Sequence, residues 1–190
     1  MKEIIIQGIL IPSLFRLYNE DYDNIICGVS ERNICARLAH HMENIMREFD
    51  LKHHTDYFAH YFADVEYNRM GNGILKQYEN SEHRPVYMVS DLLIQSRGIP
   101  RNYLAVEMKR KGNYRNIQED RNRLKSIVSS PHNRGYAINC VHDTLVGAFI
   151  VYSPGGVQIE LYEDRNGEGI ECGNMSFQYM EGLGLQIQYR

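Results

Sequence analysis

Two apolar runs, residues 86–96 and 103–110, constrain this chain most, because each carries charge where a core strand should carry none. Side chains alternate faces along a strand, so Leu104, Val106 and Met108 form one wholly apolar face over residues 103–109. Ala105, Glu107 and Lys109 form the other, with the carboxylate and the ammonium about 7 Å apart along the strand. The preceding run embeds Asp91 among Met88, Val89, Leu92, Leu93 and Ile94. A charge in such a setting is costly unless it is paired or bound to a cation.

Arg97-Gly98-Ile99-Pro100-Arg101 between the runs has the chemistry of a turn. A hairpin symmetric about Ile99 pairs positions that add to 198, setting Asp91 opposite Glu107 and Val89 opposite Lys109. Cross-strand neighbours have Cβ atoms roughly 4.5–5.5 Å apart, and like charges so placed repel. A slip of one residue would instead turn Asp91 to the other face. Two carboxylates held together in an apolar sheet need positive charge between them. Mg²⁺, a hard cation that takes oxygen ligands and keeps waters for substrate phosphates, meets that need. A buried salt-bridged cluster with no catalytic role meets it too.

Further elements frame this pair. Residues 2–10 read as a short strand, followed by an irregular acidic stretch over 19–23. A helix is predicted over 31–49, with Ser30 as N-cap and Ile34, Leu38, Met42, Ile45, Met46 and Phe49 as its apolar stripe. Glu31 continues that stripe into the first turn, where spacing alone favours an acid placed to suit the helix dipole. Residues 63–68 read as a strand and 116–128 as a second helix, closed by Ser129-Ser130-Pro131. Residues 145–152 and 157–163 flank Ser153-Pro154-Gly155-Gly156 as a hairpin. This order predicts an α/β fold, a mixed central sheet with helices packed on it. A chain of 190 residues suits one domain over 1–190.

The net charge is −3, which excludes a histone-like polycation. Between Arg97 and Arg134, however, ten basic residues face three acidic ones, a local excess of +7 beside the proposed site. Arg110, Lys111 and Arg115 are the candidates for phosphate contacts. Arg121 falls on the apolar stripe of the second helix, from which it either reaches back to the site or pairs with a buried acid. Residues 4–11 are too short to span a bilayer, so a cytoplasmic protein with no membrane partner is expected. The scattered Cys27, Cys35, Cys140 and Cys172 read as buried free thiols. His40, His41, His53, His54 and His60 lack metal-ligand spacing and read as a solvated cluster.

Asp91, fifteen intervening residues and then Glu107-Met108-Lys109 after an apolar run together resemble the signature of the PD-(D/E)xK nuclease superfamily. Ser30-Glu31-Arg32-Asn33 is similar to the acidic helix start of many members. Arg84-Pro85, the helix ending in Leu124-Lys125 and Asp64-Val65-Glu66-Tyr67-Asn68-Arg69 resemble segments of small bacterial and phage members. The likeness covers residues 30–152, and Ser90 stands where a proline often precedes the aspartate.

The resemblance implies a restriction-endonuclease-like three-layer core over about 30–163, with an N-terminal strand extension and a C-terminal tail. It implies a metal-dependent nuclease of DNA rather than RNA, in defence or in a mobile or phage element. Asp91, Glu107 and Lys109 would be catalytic, with Mg²⁺, or Mn²⁺ in its place, held by Asp91 and Glu107 together with Glu31 and the Met108 carbonyl. Arg110, Lys111, Arg115 and Arg121 would meet the nucleic acid, while Glu66, Tyr67, Asn68 and Arg69 either line its channel or belong to a half-exposed strand of ordinary polar alternation. Two alternatives stand beside this. One is a catalytically inactive domain of the same fold that binds nucleic acid or protein; the other is an unrelated enzyme in which Glu107 and Lys109 are a surface ion pair. The tail over 165–190 is open to a role in a homodimer.

Overall fold

The N-terminal run is helical, not the strand expected over residues 2–10. A π-helical segment, Ile4–Leu10, continues directly as α1, Ile11–Glu20. Three consecutive isoleucines favour a strand locally. The buried set Ile5, Ile9, Leu10, Leu14, Leu17 and Tyr18 nevertheless has helical spacing, and packing of that stripe overrides propensity. Pro12 has no N–H to give to a carbonyl one turn back. Just before it, the Ile11 N–H takes the wider π register to the Ile6 carbonyl.

The computed structural model describes residues 1–66, 77–79, 85–87, 89–96, 102–129 and 144–188. A short α2, Tyr22–Cys27, precedes α3, Glu31–His53. Ser30 Oγ accepts from the Asn33 N–H at 3.3 Å, the expected cap. The helix runs past the expected end at Phe49 and stops at His54, whose φ is +52°.

The strands are β1 (Tyr61–Val65), β2 (Gln77–Glu79), β3 (Pro85–Tyr87), β4 (Leu92–Ser96), β5 (Asn102–Arg110), β6 (Thr144–Ser153), β7 (Gly156–Arg165), β8 (Glu168–Met180) and β9 (Gly184–Ile187). Seven of them form one mixed sheet in the order β1-β4-β5-β6-β7-β8-β9, while β2 and β3 pair apart. The single strand expected over 86–96 is therefore two, β3 and β4, with Ser90 and Asp91 outside both. Among the described strand pairs only β5 and β6 run parallel. The fourth helix, α4 (Ile117–Val128), lies between them in sequence, as a parallel connection requires. The β6–β7 hairpin forms as read, with Ser153 opposite Gly156, and the tail continues the sheet as β8 and β9.

Both faces of the sheet are covered. Leu92, Ile94, Leu104, Val106 and Met108 join the core built with the N-terminal helices and α3. Leu93, Ala105, Phe149 and Tyr162 pack with Leu124, Ile127 and Val128 of α4. The fold is thus mixed α/β, and the two faces of β5 divide as alternation predicts. Among the described residues no helix is long and apolar enough to cross a membrane. The turn at Arg97–Arg101, Tyr67 to Arg69, Arg84, Cys140, Ser130-Pro131 and Arg134 lie outside the described residues.

Candidate active site

The site is built where β4 stops and β5 continues. Leu92 pairs with Val106, Leu93 with Ala105 and Ile94 with Leu104, each adding to 198 as the symmetric hairpin requires. A bulge at Ile94/Gln95 then shifts the register by one. Asp91 sits in a bend one residue ahead of β4, so it forms no strand pair with Glu107. Its carboxylate turns to the strand edge instead, and Oδ2 accepts from the Met108 N–H at 2.8 Å. Met108 is the residue between Glu107 and Lys109.

Beyond Val106 this edge of β5 has no β4 residue beside it, and N–H groups of alternate residues point along it. Asp91 takes the first, at Met108. Glu31, the first residue of α3, takes the next. Its Oε1 accepts from the Arg110 N–H at 2.9 Å and from Asn113 Nδ2 at 2.8 Å. Glu31 therefore ties the start of α3 to the end of β5, which a simple capping acid would not do.

Glu107 and Lys109 project on the other axis, toward α4. Glu107 is 1% exposed, so it is no surface ion pair. Its Oε1 accepts from Arg123 Nη1 at 2.9 Å, and Lys109 Nζ lies 3.1 Å from Asp120 Oδ2. Arg123 Nη2 is 3.3 Å from Asp120 Oδ1. Burial raises the Asp91 carboxyl, and the Met108 N–H and Lys109 offset only part of that rise. Burial and then the charge of Asp91 push Glu107 well above the usual carboxylate range, against the pull of Arg123. Burial alone would lower the Lys109 ammonium, but Asp120, Asp91 and Glu31 hold it above its ordinary value and so charged.

Glu107 is buried and Asp91 half-buried, both are raised, and they stand beside a charged lysine; one or two carboxylates of this kind are what Mg²⁺ commonly uses, with water completing its shell. Among the described residues, no three His, Cys, Asp or Glu side chains converge as a metal-holding group. Glu31 Oε1 accepts from Arg110 and Asn113, one N–H further along β5 than the Met108 N–H that Asp91 takes.

The basic candidates separate. Lys111 and Arg115 are exposed around the β5–α4 turn. The Arg110 guanidinium lies over Gly28, where a Cβ would overlap it. Arg121 does not reach the site. Its Nε and Nη2 donate to Glu160 at 2.8 and 2.6 Å, and its guanidinium sits 5.0 Å from the centroid of Phe149. Its position on α4 faces β7 rather than the open edge of β5. Glu66 pairs with Arg32 at 2.7 Å, and its N–H donates to the Asp91 carbonyl.

Two side chains now central, Asp120 and Arg123, were legible only as a charged pair three apart on a helix. Two other readings need correction. His41 is buried against Asp21 at 2.6 Å rather than solvated, and of the described cysteines Cys35 alone is buried, Cys27 and Cys172 being exposed. No family model, curated protein or solved structure matches the chain.

Proposed function

We propose that this chain is a Mg²⁺-dependent phosphodiesterase that cleaves DNA, on a core of the restriction-endonuclease-like kind. One observation carries the reading: the Asp91 carboxylate is bonded to the backbone between Glu107 and Lys109, and its charge bears on the buried Glu107 carboxyl. That is a cation site flanked by an ammonium, at the point where the sequence pattern resembles PD-(D/E)xK nucleases. A setting in defence or in a mobile or phage element follows from the same resemblance.

Asp91 and Glu107 would hold the metal through hard oxygen donors. Bound there, Mg²⁺ supplies Lewis-acid polarisation of the phosphodiester and activation of water. Lys109, kept charged and fixed by Asp120, orients the attacking water and offsets charge developing on the phosphate. Arg110, Lys111 and Arg115 take neighbouring phosphates, which positions the duplex without reading its sequence.

A second reading has its own support. Glu107 and Lys109 are already satisfied by Arg123 and Asp120, as in a structural ion-pair cluster of an inactive binding domain. Incubation with supercoiled, linear and single-stranded DNA, with Mg²⁺ or Mn²⁺ and with chelator, separates the two. Metal-dependent cleavage supports the enzyme; no cleavage of any substrate refutes it. Lys109→Ala should abolish turnover while metal binding persists, and unchanged cleavage would remove Lys109 from the mechanism.

A further inference from the structure

Helix α4 presents two charges to β5 in a crossed arrangement. Asp120 and Arg123 are three residues apart and so share a helix face. Glu107 and Lys109 are two apart and share a strand face. The acid of the strand meets the base of the helix at 2.9 Å, and the base of the strand meets the acid of the helix at 3.1 Å. Arg123 also bridges to Asp120 at 3.3 Å, and its Nη1 lies 3.3 Å from the Val89 carbonyl, two residues before Asp91. Its fork thus touches β5, its own helix and the segment that carries Asp91.

A carboxylate as enclosed as Glu107 needs a counter-charge, and removing one from a buried pair is strongly destabilising. Arg123 supplies that charge here. Any divalent cation held by Glu107 must therefore share the carboxylate with the guanidinium or displace it. With all five groups ionised, Asp91, Glu107 and Asp120 against Lys109 and Arg123 carry a net charge of −1. A dication added with Arg123 in place would take the cluster to +1, whereas one that displaced Arg123 would leave it neutral. The Arg123 side chain is 19% exposed, which leaves it a route outward.

We infer that Arg123 is the resident counter-ion of Glu107, in competition with the divalent cation, so that α4 sets the affinity of the site for metal. The inference rests on the metal-site reading above. It makes Arg123 a positioning residue that acts through Glu107, not a group that touches substrate.

The test is Mn²⁺ binding to the full-length chain without DNA, read by isothermal titration calorimetry and by the electron paramagnetic resonance of free Mn²⁺. Arg123→Gln should bind Mn²⁺ at least about tenfold more tightly than wild type, because a nearby positive charge is gone. Arg123→Lys keeps that charge and should stay close to wild type. Equal or weaker affinity in a folded Arg123→Gln protein overturns the inference while leaving the metal site standing. Failure of wild type and both variants to bind Mn²⁺ overturns the inference and the metal-site reading together. A second measurement needs no stable variant of altered charge. In wild type, resolved and slowly exchanging Nη–H resonances of Arg123, assigned with Arg123→Lys, should merge and exchange with water on titration with diamagnetic Mg²⁺. Resonances that stay resolved while Mg²⁺ binds would show that the pair with Glu107 survives, against the inference.

Discussion

Replacing Glu107 by Gln should stabilise the protein while abolishing its cleavage of DNA. The shape is nearly unchanged, and the new amide oxygen can still accept from Arg123. What changes is charge. Three acids and two bases form the cluster around Glu107, and removing one acid brings it from −1 to neutrality. Arg123 keeps Asp120 as an anionic partner at 3.3 Å, and Lys109 keeps it at 3.1 Å, so no cation is stranded. Burial and the charge of Asp91 disfavour the ionised Glu107 more than Arg123 favours it, so a neutral amide in its place should stabilise the fold at neutral pH, by about 1–2 kcal/mol. For a chain of this length each kcal/mol corresponds to about 2–4 °C in Tm. Urea unfolding followed by circular dichroism at neutral pH gives the comparison, together with a plasmid-cleavage assay on the same preparation. Loss of more than about 1 kcal/mol on substitution would refute the reasoning, since Glu107 would then be a net structural partner of Arg123. That result would favour the inactive-domain reading.

Other substitutions test separate parts of the structure. Arg121→Ala should cost about 1 kcal/mol near neutral pH through its paired hydrogen bonds to Glu160 and its contact with Phe149, without weakening DNA binding. Arg121 holds the Glu160 carboxyl below its usual range, so this contribution is present above the unfolded-state value of about 4.3. It is lost as pH falls through the depressed folded value, and the two proteins should converge in acid unfolding curves. Leu14→Ala should cost about 2–5 kcal/mol in urea unfolding if the N-terminal stripe is core; a near-neutral effect would argue against the helix. Ser30→Ala should cost about 1 kcal/mol by loss of the α3 cap, measured the same way.

The parts of the fold legible in the sequence are those set by short-range periodicity. Alternation in residues 103–109 correctly sorted Leu104, Val106 and Met108 from Ala105, Glu107 and Lys109, and the expected β4–β5 register holds from Leu92 to Ile94, short of the bulge at Gln95. The stripe of α3, its Ser30 cap and the β6–β7 hairpin follow from equally local rules. Residues 2–10 misled because local propensity favours a strand there, while the decisive term is burial of a stripe that continues through Leu14, Leu17 and Tyr18.

For the candidate site, the chain by itself placed Glu107 and Lys109 on one face of one strand and Asp91 near its end. Only the tertiary structure decided how they meet. Because β4 begins after Asp91, that carboxylate has no strand pair and instead bonds the Met108 N–H. Because α4 lies over the same face, Glu107 and Lys109 find Arg123 and Asp120, while Arg121, two residues earlier on the helix than Arg123, turns to Glu160. Periodicity is a property of neighbouring residues, so sequence carries it. The partner of a charged side chain is chosen by whichever element packs alongside, often many residues away, and that choice exists only once the layers have assembled.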